Sequence, residues 1–241
     1  MWIICLQLLV LVPTFLYLQS LDLSPERSRF TLKSPFVLPE LTPSTNVVHS
    51  KKHFHFVMHS HDDLGWLRTL EEYQSQAINP ILSSTIDTLL KDPKATFTWC
   101  NIGFLYNYLQ KFPQEIGKFQ AAIKSGQLYV VNGGIAVHDN ACVHLDDMLT
   151  NYEFGREFLQ TKLGTNPNIG WLIDPFGHSK TTTRMYSKLG YQAYLINRIS
   201  TYIRESMKER KQMLFNWVDP ESDFKPMRMF TFKYRRVPFM V

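Results

Sequence analysis

The chain has 241 residues, with 26 Lys and Arg against 21 Asp and Glu, a formal net charge of +5 and 44% hydrophobic residues. This composition excludes an intrinsically disordered chain and a collagen-like fibre, and three cysteines in a chain of this length exclude a disulfide-stapled miniprotein. The cations are scattered, apart from a cluster between residues 225 and 236. The composition therefore argues against nucleic-acid binding, which usually requires a basic stripe on one element.

The first 50 residues are predicted to precede the folded domain. Residues 1–20 are apolar and uncharged, which is typical of a signal peptide or a short anchor. Pro13 interrupts this run and leaves stretches shorter than a membrane span, so a signal peptide is favoured and no stable span is expected. Either leader directs the chain into the secretory pathway. Residues 21–50, rich in Ser, Pro and Thr without periodicity, predict a linker or arm, and the folded domain is expected at 51–241.

The folded part alternates predicted strands with predicted helices. Apolar runs predict strands at 53–58, 95–100, 128–131, 169–173 and 191–196. Helical spacing predicts helices at 78–90, at 101–124 with a break near Pro113, at 145–163 and at 180–189. This order predicts an α/β fold built from parallel βα units, whose chemistry lies at the carboxyl ends of the strands.

Polar residues and glycines follow four of these predicted strands. His61 and Asp63 follow the first, the Gly133–Gly134 turn follows the third, Asp174 follows the fourth and Arg198 follows the fifth. Because the carboxyl ends of parallel strands meet at one edge of a sheet, these groups are expected to converge there.

His61 and Asp63 are candidate metal ligands. They are two residues apart, so on an extended segment their side chains point to the same side. Zn²⁺ accepts both imidazole and carboxylate ligands, and Asp174 is the obvious third ligand from another strand. The alternative is an ordinary polar turn with satisfied hydrogen bonds.

Three further features leave alternatives open. Asp174 precedes Pro175, which holds it on an extended backbone, so its carboxylate is a candidate nucleophile, metal ligand or helix N-cap. Trp66 follows the first cluster and is either a platform for a sugar ring or ordinary core. Cys100 and Cys142 either pair or remain thiols.

Two long motifs resemble a known family. His-Ser-His-Asp-Asp-Leu-Gly-Trp at 59–66 and Gly-Trp-Leu-Ile-Asp-Pro-Phe-Gly-His-Ser at 170–179, with Asn-Gly-Gly at 132–134 between them, resemble the N-terminal catalytic domain of family 38 glycoside hydrolases. These are the class II α-mannosidases, and the resemblance is to the lysosomal-type members over residues 51–217. It implies part of a seven-stranded α/β barrel, incomplete at the C-terminus.

The resemblance also implies roles for individual residues. His61, Asp63 and Asp174 would bind Zn²⁺, and Asp174 would also be the nucleophile. Trp66 and Phe176 would form the wall of the mannose subsite, and Arg198 would lie near the nucleophile. The implied activity is that of a zinc-dependent retaining α-mannosidase acting on terminal α-mannosyl residues of oligosaccharides or glycoprotein glycans, in the lysosome or vacuole or outside the cell.

The chain also departs from the family pattern. A fourth zinc ligand, a His, and the general acid, an Asp, lie in the family beyond the position of Val241, so the resemblance implies an N-terminal fragment. The alternative is an inactive remnant that binds metal or sugar without turnover. Asn101, Ile135 and Asn140 stand where the family usually has an acidic residue, an aromatic residue and Glu, and Tyr108-Leu109 stands where it has paired tryptophans.

A different metal hydrolase, such as an amidohydrolase or a sugar deacetylase, is a weaker hypothesis. Such sites need more His ligands on later strands, and His138, His144 and His178 do not lie in fitting motifs. The stretch 227–241 resembles a strand that enters the next barrel unit.

Overall fold

The computed structural model of the protein describes residues 56–218 and the backbone of residues 227–231. The predicted leader at 1–20 and the predicted linker at 21–50 lie outside the described residues. Contacts between backbone positions group the described residues into one compact unit.

More of the described residues lie in helices than in strands. The α-helices are α1 Leu70–Tyr73, α2 Asn79–Lys91, α3 Ile102–Lys111, α4 Ile116–Lys124, α5 Leu145–Phe158, α6 Lys180–Lys188 and α7 Thr201–Glu209. π-Helical turns at Gln74–Ile78 and Leu159–Leu163 continue α1 into α2 and extend α5, and a 3₁₀ turn at Pro113–Glu115 separates α3 from α4.

The strands are short and mostly parallel. They are β1 Phe97–Trp99, β2 Leu128–Val130, β3 Ile169–Leu172, β4 Ala193–Ile196, β5 Leu214–Trp217 and β6 Met227–Thr231. β1 pairs with β2 in parallel, and the second sheet has the order β3-β4-β6-β5, in which only the pairing of β5 with β6 is antiparallel.

Backbone hydrogen bonds connect the two sheets through the residues after β2. The N–H of Val131 donates to the carbonyl of Trp99 at 2.9 Å, and the N–H of Asn132 donates to the carbonyl of Ile169 at 2.8 Å. The strands from β1 to β4 therefore lie side by side in chain order, and their carboxyl ends face the same edge.

The predicted first strand, 53–58, is wrong where it can be compared. Residues 53–55 lie outside the described residues, and 56–58 form no strand. A single parallel bridge joins His59 to Thr98, and the N–H of Thr98 donates to the carbonyl of Met58 at 2.8 Å. Phe56 is 82% exposed, so the apolar alternation in this segment is not buried against a core.

The other predicted elements are present with shifted ends. The first helical segment begins at Leu70, eight residues before the predicted start, because Thr69 and Glu72 form a capping box there. It ends at Lys91, before Asp92-Pro93 as predicted, since proline cannot continue a helix. α7 and β5 were not predicted, and β6 occupies the first part of the stretch 227–241.

Both faces of the sheet are covered by side chains. Along β3 and β4, Leu172 and Tyr194 pack into a cluster with residues of α5 and α6, whereas Trp171 and Leu195 pack into a separate cluster with Cys100. Strand neighbours point to opposite faces, so these parallel strands are buried on both sides, as such sheets usually are. Among the described residues, no helix combines the length and apolar character needed to cross a membrane.

Candidate metal centre and active site

His61, Asp63 and Asp174 lie together at the carboxyl edge of the sheet. One ligand atom from each residue lies within 4.8 Å of the other two. Nε2 of His61 is 3.2 Å from Oδ1 of Asp63 and 3.6 Å from Oδ2 of Asp174. The side chains of the two acids are 43% and 34% exposed, so the group faces an open edge rather than the core.

The hydrogen-bonding state of His61 tests whether this donor set fits a metal ion. Both ring nitrogens are buried, yet neither makes a hydrogen bond to any residue in the described part of the chain. A buried imidazole normally finds a partner, because an unpaired polar group costs free energy. One nitrogen and two carboxylate oxygens around a common point match the ligands of Zn²⁺, so the residues present fit a divalent cation.

Asp174 is not a helix cap. It lies two residues after the end of β3, and α6 begins six residues later at Lys180, where Ser179 is the N-cap and accepts from the N–H of Thr182. The N-cap interpretation of Asp174 is therefore wrong.

The two carboxylate oxygens of Asp174 have different neighbours. Oδ1 accepts a hydrogen bond from Nη2 of Arg198, whereas Oδ2 is the atom that faces His61. The guanidinium of Arg198 also lies over the ring of Phe176, 5.3 Å from its centroid. Arg198 thus contacts both the acid and the neighbouring aromatic ring.

Two exposed aromatic rings lie in the motifs that form the cluster. Trp66 is 74% exposed and Phe176 is 73% exposed. The core interpretation of Trp66 is therefore wrong. Gly65, at φ 90°, turns the backbone between Asp63 and this ring.

The remaining polar residues of the first motif are held locally. The ring of His59 packs edge-on against Trp171, with centroids 5.2 Å apart. Burial raises the pKa of Asp62 above its ordinary value, and its backbone carbonyl accepts a hydrogen bond from Nδ2 of Asn101. Asn101 therefore fastens the end of β1 to the segment that carries His61 and Asp63.

A buried polar network supports the edge, and the sequence alone did not reveal it. Oδ1 of Asn132 accepts hydrogen bonds from the hydroxyls of Tyr152 at 2.8 Å and Tyr186 at 2.6 Å. The Tyr152 hydroxyl also lies 3.3 Å from Nδ1 of His138, whose Nε2 is 3.2 Å from Oγ1 of Thr182. In the sequence, the Asn-Gly-Gly motif at 132–134 indicated a turn at this place but not the hydrogen bonds of Asn132.

Asn140 extends this network to the loop that carries Asp174. Its Oδ1 accepts from the N–H of Ser179 at 3.0 Å and from Oγ1 of Thr182 at 2.6 Å. A cavity of about 260 Å³ lies beside it, lined by residues 139–141 and 176–179. Asn140 therefore accepts hydrogen bonds from the start of α6.

The two cysteines in the described region do not pair. Cys100 is buried and Cys142 is exposed, and both are free thiols. Burial raises the pKa of the Cys100 thiol, so it stays protonated and behaves as a small apolar side chain.

Comparison with known proteins adds independent information. Residues 51–238 match the sequence profile described as the glycosyl hydrolases family 38 N-terminal domain. Alpha-mannosidase F of Dictyostelium discoideum is 35% identical over 178 residues, which cover 70% of this chain and 18% of that protein. Lysosomal alpha-mannosidase of Dictyostelium discoideum is 34% identical, with 70% and 18% covered, and alpha-mannosidase of Canavalia ensiformis is 34% identical, with 68% and 18% covered.

The fold is shared with solved structures. An alpha-mannosidase from Enterococcus faecalis V583 superposes with a TM-score of 0.60 at 21% identity, covering 73% of this chain and 19% of that one. A 4-alpha-glucanotransferase from Thermococcus litoralis superposes with a TM-score of 0.52 at 18% identity, covering 73% and 27%. The aligned region of this chain thus spans about a fifth of the length of the relatives that it matches.

Proposed function

Because this chain belongs to glycosyl hydrolase family 38, we propose that it provides the metal-binding and nucleophilic part of a zinc-dependent retaining α-mannosidase, acting on mannose-containing glycans. The observation that carries the proposal is the meeting of His61, Asp63 and Asp174, with ligand atoms within 4.8 Å of one another. In this proposal the fold is the first part of the family's seven-stranded barrel.

Three side chains would hold the metal: the imidazole of His61 and the carboxylates of Asp63 and Asp174. A Zn²⁺ ion bound there supplies a Lewis acid for the hydroxyl groups of a sugar. The three proposed ligands come from two segments that are distant in sequence, so together they would link the 59–66 motif to the end of β3 when a cation is bound.

Asp174 is the proposed nucleophile. Its carboxylate is about one-third exposed, and Arg198 binds Oδ1. A retaining glycosidase uses such a carboxylate to attack the anomeric carbon and form a covalent glycosyl-enzyme. Arg198 limits rotation of the carboxylate and so orients it for this attack.

The exposed rings of Trp66 and Phe176 are proposed as the wall of the mannose subsite. The apolar C–H face of a sugar packs on an aromatic ring, and both rings are exposed enough to accept it. The cation–π contact of Arg198 supports Phe176 from one side.

We propose the secretory pathway as the route of the protein. The apolar, uncharged sequence of residues 1–20, which is typical of a signal peptide, supports this route. One relative that matches the chain is a lysosomal alpha-mannosidase, which favours a lysosomal or vacuolar destination.

Metal binding is tested by titrating the metal-free 241-residue chain with Zn²⁺ in a calorimeter. We expect one Zn²⁺ per chain, and loss of that binding in Asp174→Asn and in His61→Gln. Asp87→Asn is the matched control, because Asp87 is a surface carboxylate paired with Lys118. An Asp174→Asn chain that binds Zn²⁺ as tightly as the original would remove Asp174 from the ligand set.

A second candidate function is the binding of metal or mannose without turnover. It is favoured by the composition of the described group, in which His61, Asp63 and Asp174 suffice to bind a cation, whereas a retaining glycosidase also needs a second carboxyl group as general acid. Hydrolysis of nitrophenyl α-mannoside by the zinc-loaded chain distinguishes the two candidates. Turnover that disappears in Asp174→Asn supports the enzyme, whereas stoichiometric zinc without turnover supports the binding protein.

A further inference from the structure

His178 connects the loop after β3 to the end of β4. Its Nδ1 lies 2.9 Å from the hydroxyl of Tyr194, and its Nε2 lies 3.0 Å from the backbone carbonyl of Arg198. Tyr194 is fully buried on β4, and the two rings pack edge-on with centroids 5.8 Å apart. Both nitrogens of the imidazole therefore have a partner, and its ring packs against that of Tyr194.

The two partners define which ring nitrogen carries the proton. A backbone carbonyl can only accept, so Nε2 of His178 must be the donor to Arg198. The neutral ring then accepts at Nδ1 from the hydroxyl of Tyr194. Burial lowers the pKa of His178, and the bond to Arg198 opposes that shift, while burial raises the pKa of Tyr194. Both shifts favour the neutral imidazole and the protonated phenol that this pattern requires.

The carbonyl that His178 binds belongs to the residue whose side chain holds Asp174. The guanidinium of Arg198 donates to Oδ1 of Asp174, which is four residues before His178. Asp174 and Arg198 are therefore connected in two ways. Their side chains form a hydrogen bond, and the loop after Asp174 leads to His178, which binds the backbone carbonyl of Arg198. The preceding carbonyl, that of Asn197, is bound by Arg204, so both peptide groups of this segment are held.

We propose that His178 is a positioning residue, which holds the Arg198 backbone by its Nε2–H so that the Arg198 side chain keeps Asp174 oriented towards His61. It lies outside the proposed ligand set of His61, Asp63 and Asp174. The proposal rests on the proposed function, since it assigns a consequence for zinc affinity to a residue outside the ligand set.

Two substitutions separate the effect of the proposed hydrogen bond from the effect of losing a half-buried ring. In His178→Gln the side-chain amide can still place a donor near the position of Nε2, whereas the shorter His178→Asn cannot reach the Arg198 carbonyl. We expect the zinc dissociation constant to rise about 10-fold in His178→Asn, as for other groups that orient metal ligands. His178→Gln is expected to retain most of the affinity of the original chain.

His138→Asn is the matched control. His138 is an imidazole with a partner near each nitrogen, as His178 is, but both of its partners are hydroxyls, those of Tyr152 and Thr182, and it has no bond to Arg198. We expect it to lower the thermal midpoint while leaving zinc affinity unchanged. Equal zinc affinities in His178→Asn and His178→Gln, or an equal loss in His138→Asn, would overturn the proposal.

Nuclear magnetic resonance of the metal-free chain tests the same idea without zinc or activity. The ring nitrogens of His178 should show the tautomer with the proton on Nε2. The guanidinium N–H signals of Arg198, assigned with Arg198→Lys, should be sharp in the original chain and in His178→Gln but broadened in His178→Asn. A proton on Nδ1, or Arg198 signals unchanged in His178→Asn, would refute the positioning role. A chain that shows the expected signals but binds no zinc would refute the proposed function alone.

Discussion

Asn132 has an unusual backbone conformation for a residue with a side chain. Its φ is 63°, in the left-handed region, and the residue is completely buried. The amide oxygen accepts from two tyrosine hydroxyls, and the backbone carbonyl accepts from the hydroxyl of Tyr191. Asparagine tolerates this region better than most residues, so it meets both the backbone and the hydrogen-bonding requirement at this position.

Substitution of Asn132 separates these two requirements. We expect Asn132→Ala to lower the free energy of unfolding by about 3 kcal/mol or more, since two buried hydroxyls lose their acceptor and a Cβ remains at positive φ. Asn132→Gly removes the backbone strain and should be less destabilising by about 1 kcal/mol. Urea unfolding measures both. Equal losses for Ala and Gly would show that the backbone is not strained here.

His138 makes the stability of the fold depend on pH. Burial lowers its pKa from 6.5 to about 4. Between these values the unfolded chain binds a proton that the folded chain excludes, so the free energy of unfolding falls as the pH decreases from 6.5 towards 4. The full contribution is about 3 kcal/mol, since one pKa unit corresponds to about 1.4 kcal/mol.

Urea unfolding at pH 7.0 and pH 5.0 measures this dependence. We expect a lower stability at pH 5.0 in the original chain and a smaller difference in His138→Asn, which has no titrating ring. The His178 pKa is also lowered by burial, so His178→Gln should reduce the difference as well. A difference that His138→Asn leaves unchanged would assign the pH dependence to other groups.

At the scale of elements, α5 packs against the turn after β2 so closely that only a glycine fits at the point of contact. A Cβ added at Gly155 would lie 2.2 Å from the carbonyl oxygen of Gly133, well inside van der Waals contact. The helix therefore packs directly against the Gly133–Gly134 turn that follows β2. This approach determines where the turn lies relative to the edge that carries His61, Asp63 and Asp174.

Two helical glycines should respond in opposite directions to replacement by alanine. We expect Gly155→Ala to lower the free energy of unfolding by about 2 kcal/mol, because backbone atoms must shift to admit the methyl group. Gly117→Ala should raise it by about 0.5 kcal/mol, since no atom lies within 4 Å of the added Cβ in α4 and alanine favours the helix. Thermal unfolding followed by circular dichroism measures both. A destabilised Gly117→Ala would contradict the propensity argument.

Local sequence patterns predicted a helix or strand correctly where the apolar residues of the pattern are buried in the folded chain. The break between α3 and α4 near Pro113 and the end of α2 at Lys91 follow from proline chemistry, which acts locally. The segment 56–58 alternates in the same way as a strand but is exposed, so no core covers it and no ladder forms. α7 was missed because it buries no residue within the described chain and so carries no apolar face that meets the core.

At the scale of the whole molecule, the described core has three clusters on two faces of the sheets. Leu105 belongs to the helical cluster around α2, α3 and α4, and Leu172 to the cluster beneath α5 and α6. A third cluster contains Cys100 and Val131, which directly follow β1 and β2, and Trp171 and Leu195 of β3 and β4. β3 and β4 separate the second cluster from the third but also join them, since each of these two strands contributes to both.

This arrangement predicts a single cooperative unfolding transition. Leu105→Ala and Leu172→Ala should each lower the free energy of unfolding by about 2 to 5 kcal/mol, because both side chains are fully buried. Both substitutions should move the same transition, seen equally by tryptophan fluorescence and by circular dichroism. Two separate transitions, each sensitive to one substitution, would show that the clusters unfold independently.

The sequence by itself determined which types of side chain come together at the candidate site. Ligand-type residues stand directly after predicted strands, and parallel strands bring their carboxyl ends to one edge, so the grouping of His61, Asp63 and Asp174 could be anticipated from local order. The two motifs also carried the family resemblance, which the profile match to residues 51–238 confirms. Their roles in binding zinc and mannose stay predictions.

The tertiary structure decided how those residues are held. Asn132 meets Tyr152 and Tyr186, His178 meets the Arg198 carbonyl, and each of these pairs is separated by at least 20 residues in sequence. A hydrogen bond between distant residues depends on how whole helices and strands pack, and no local pattern of apolar and polar residues encodes that packing. For this reason the sequence could propose which atoms meet a metal ion, but only the folded chain could show what keeps them in place.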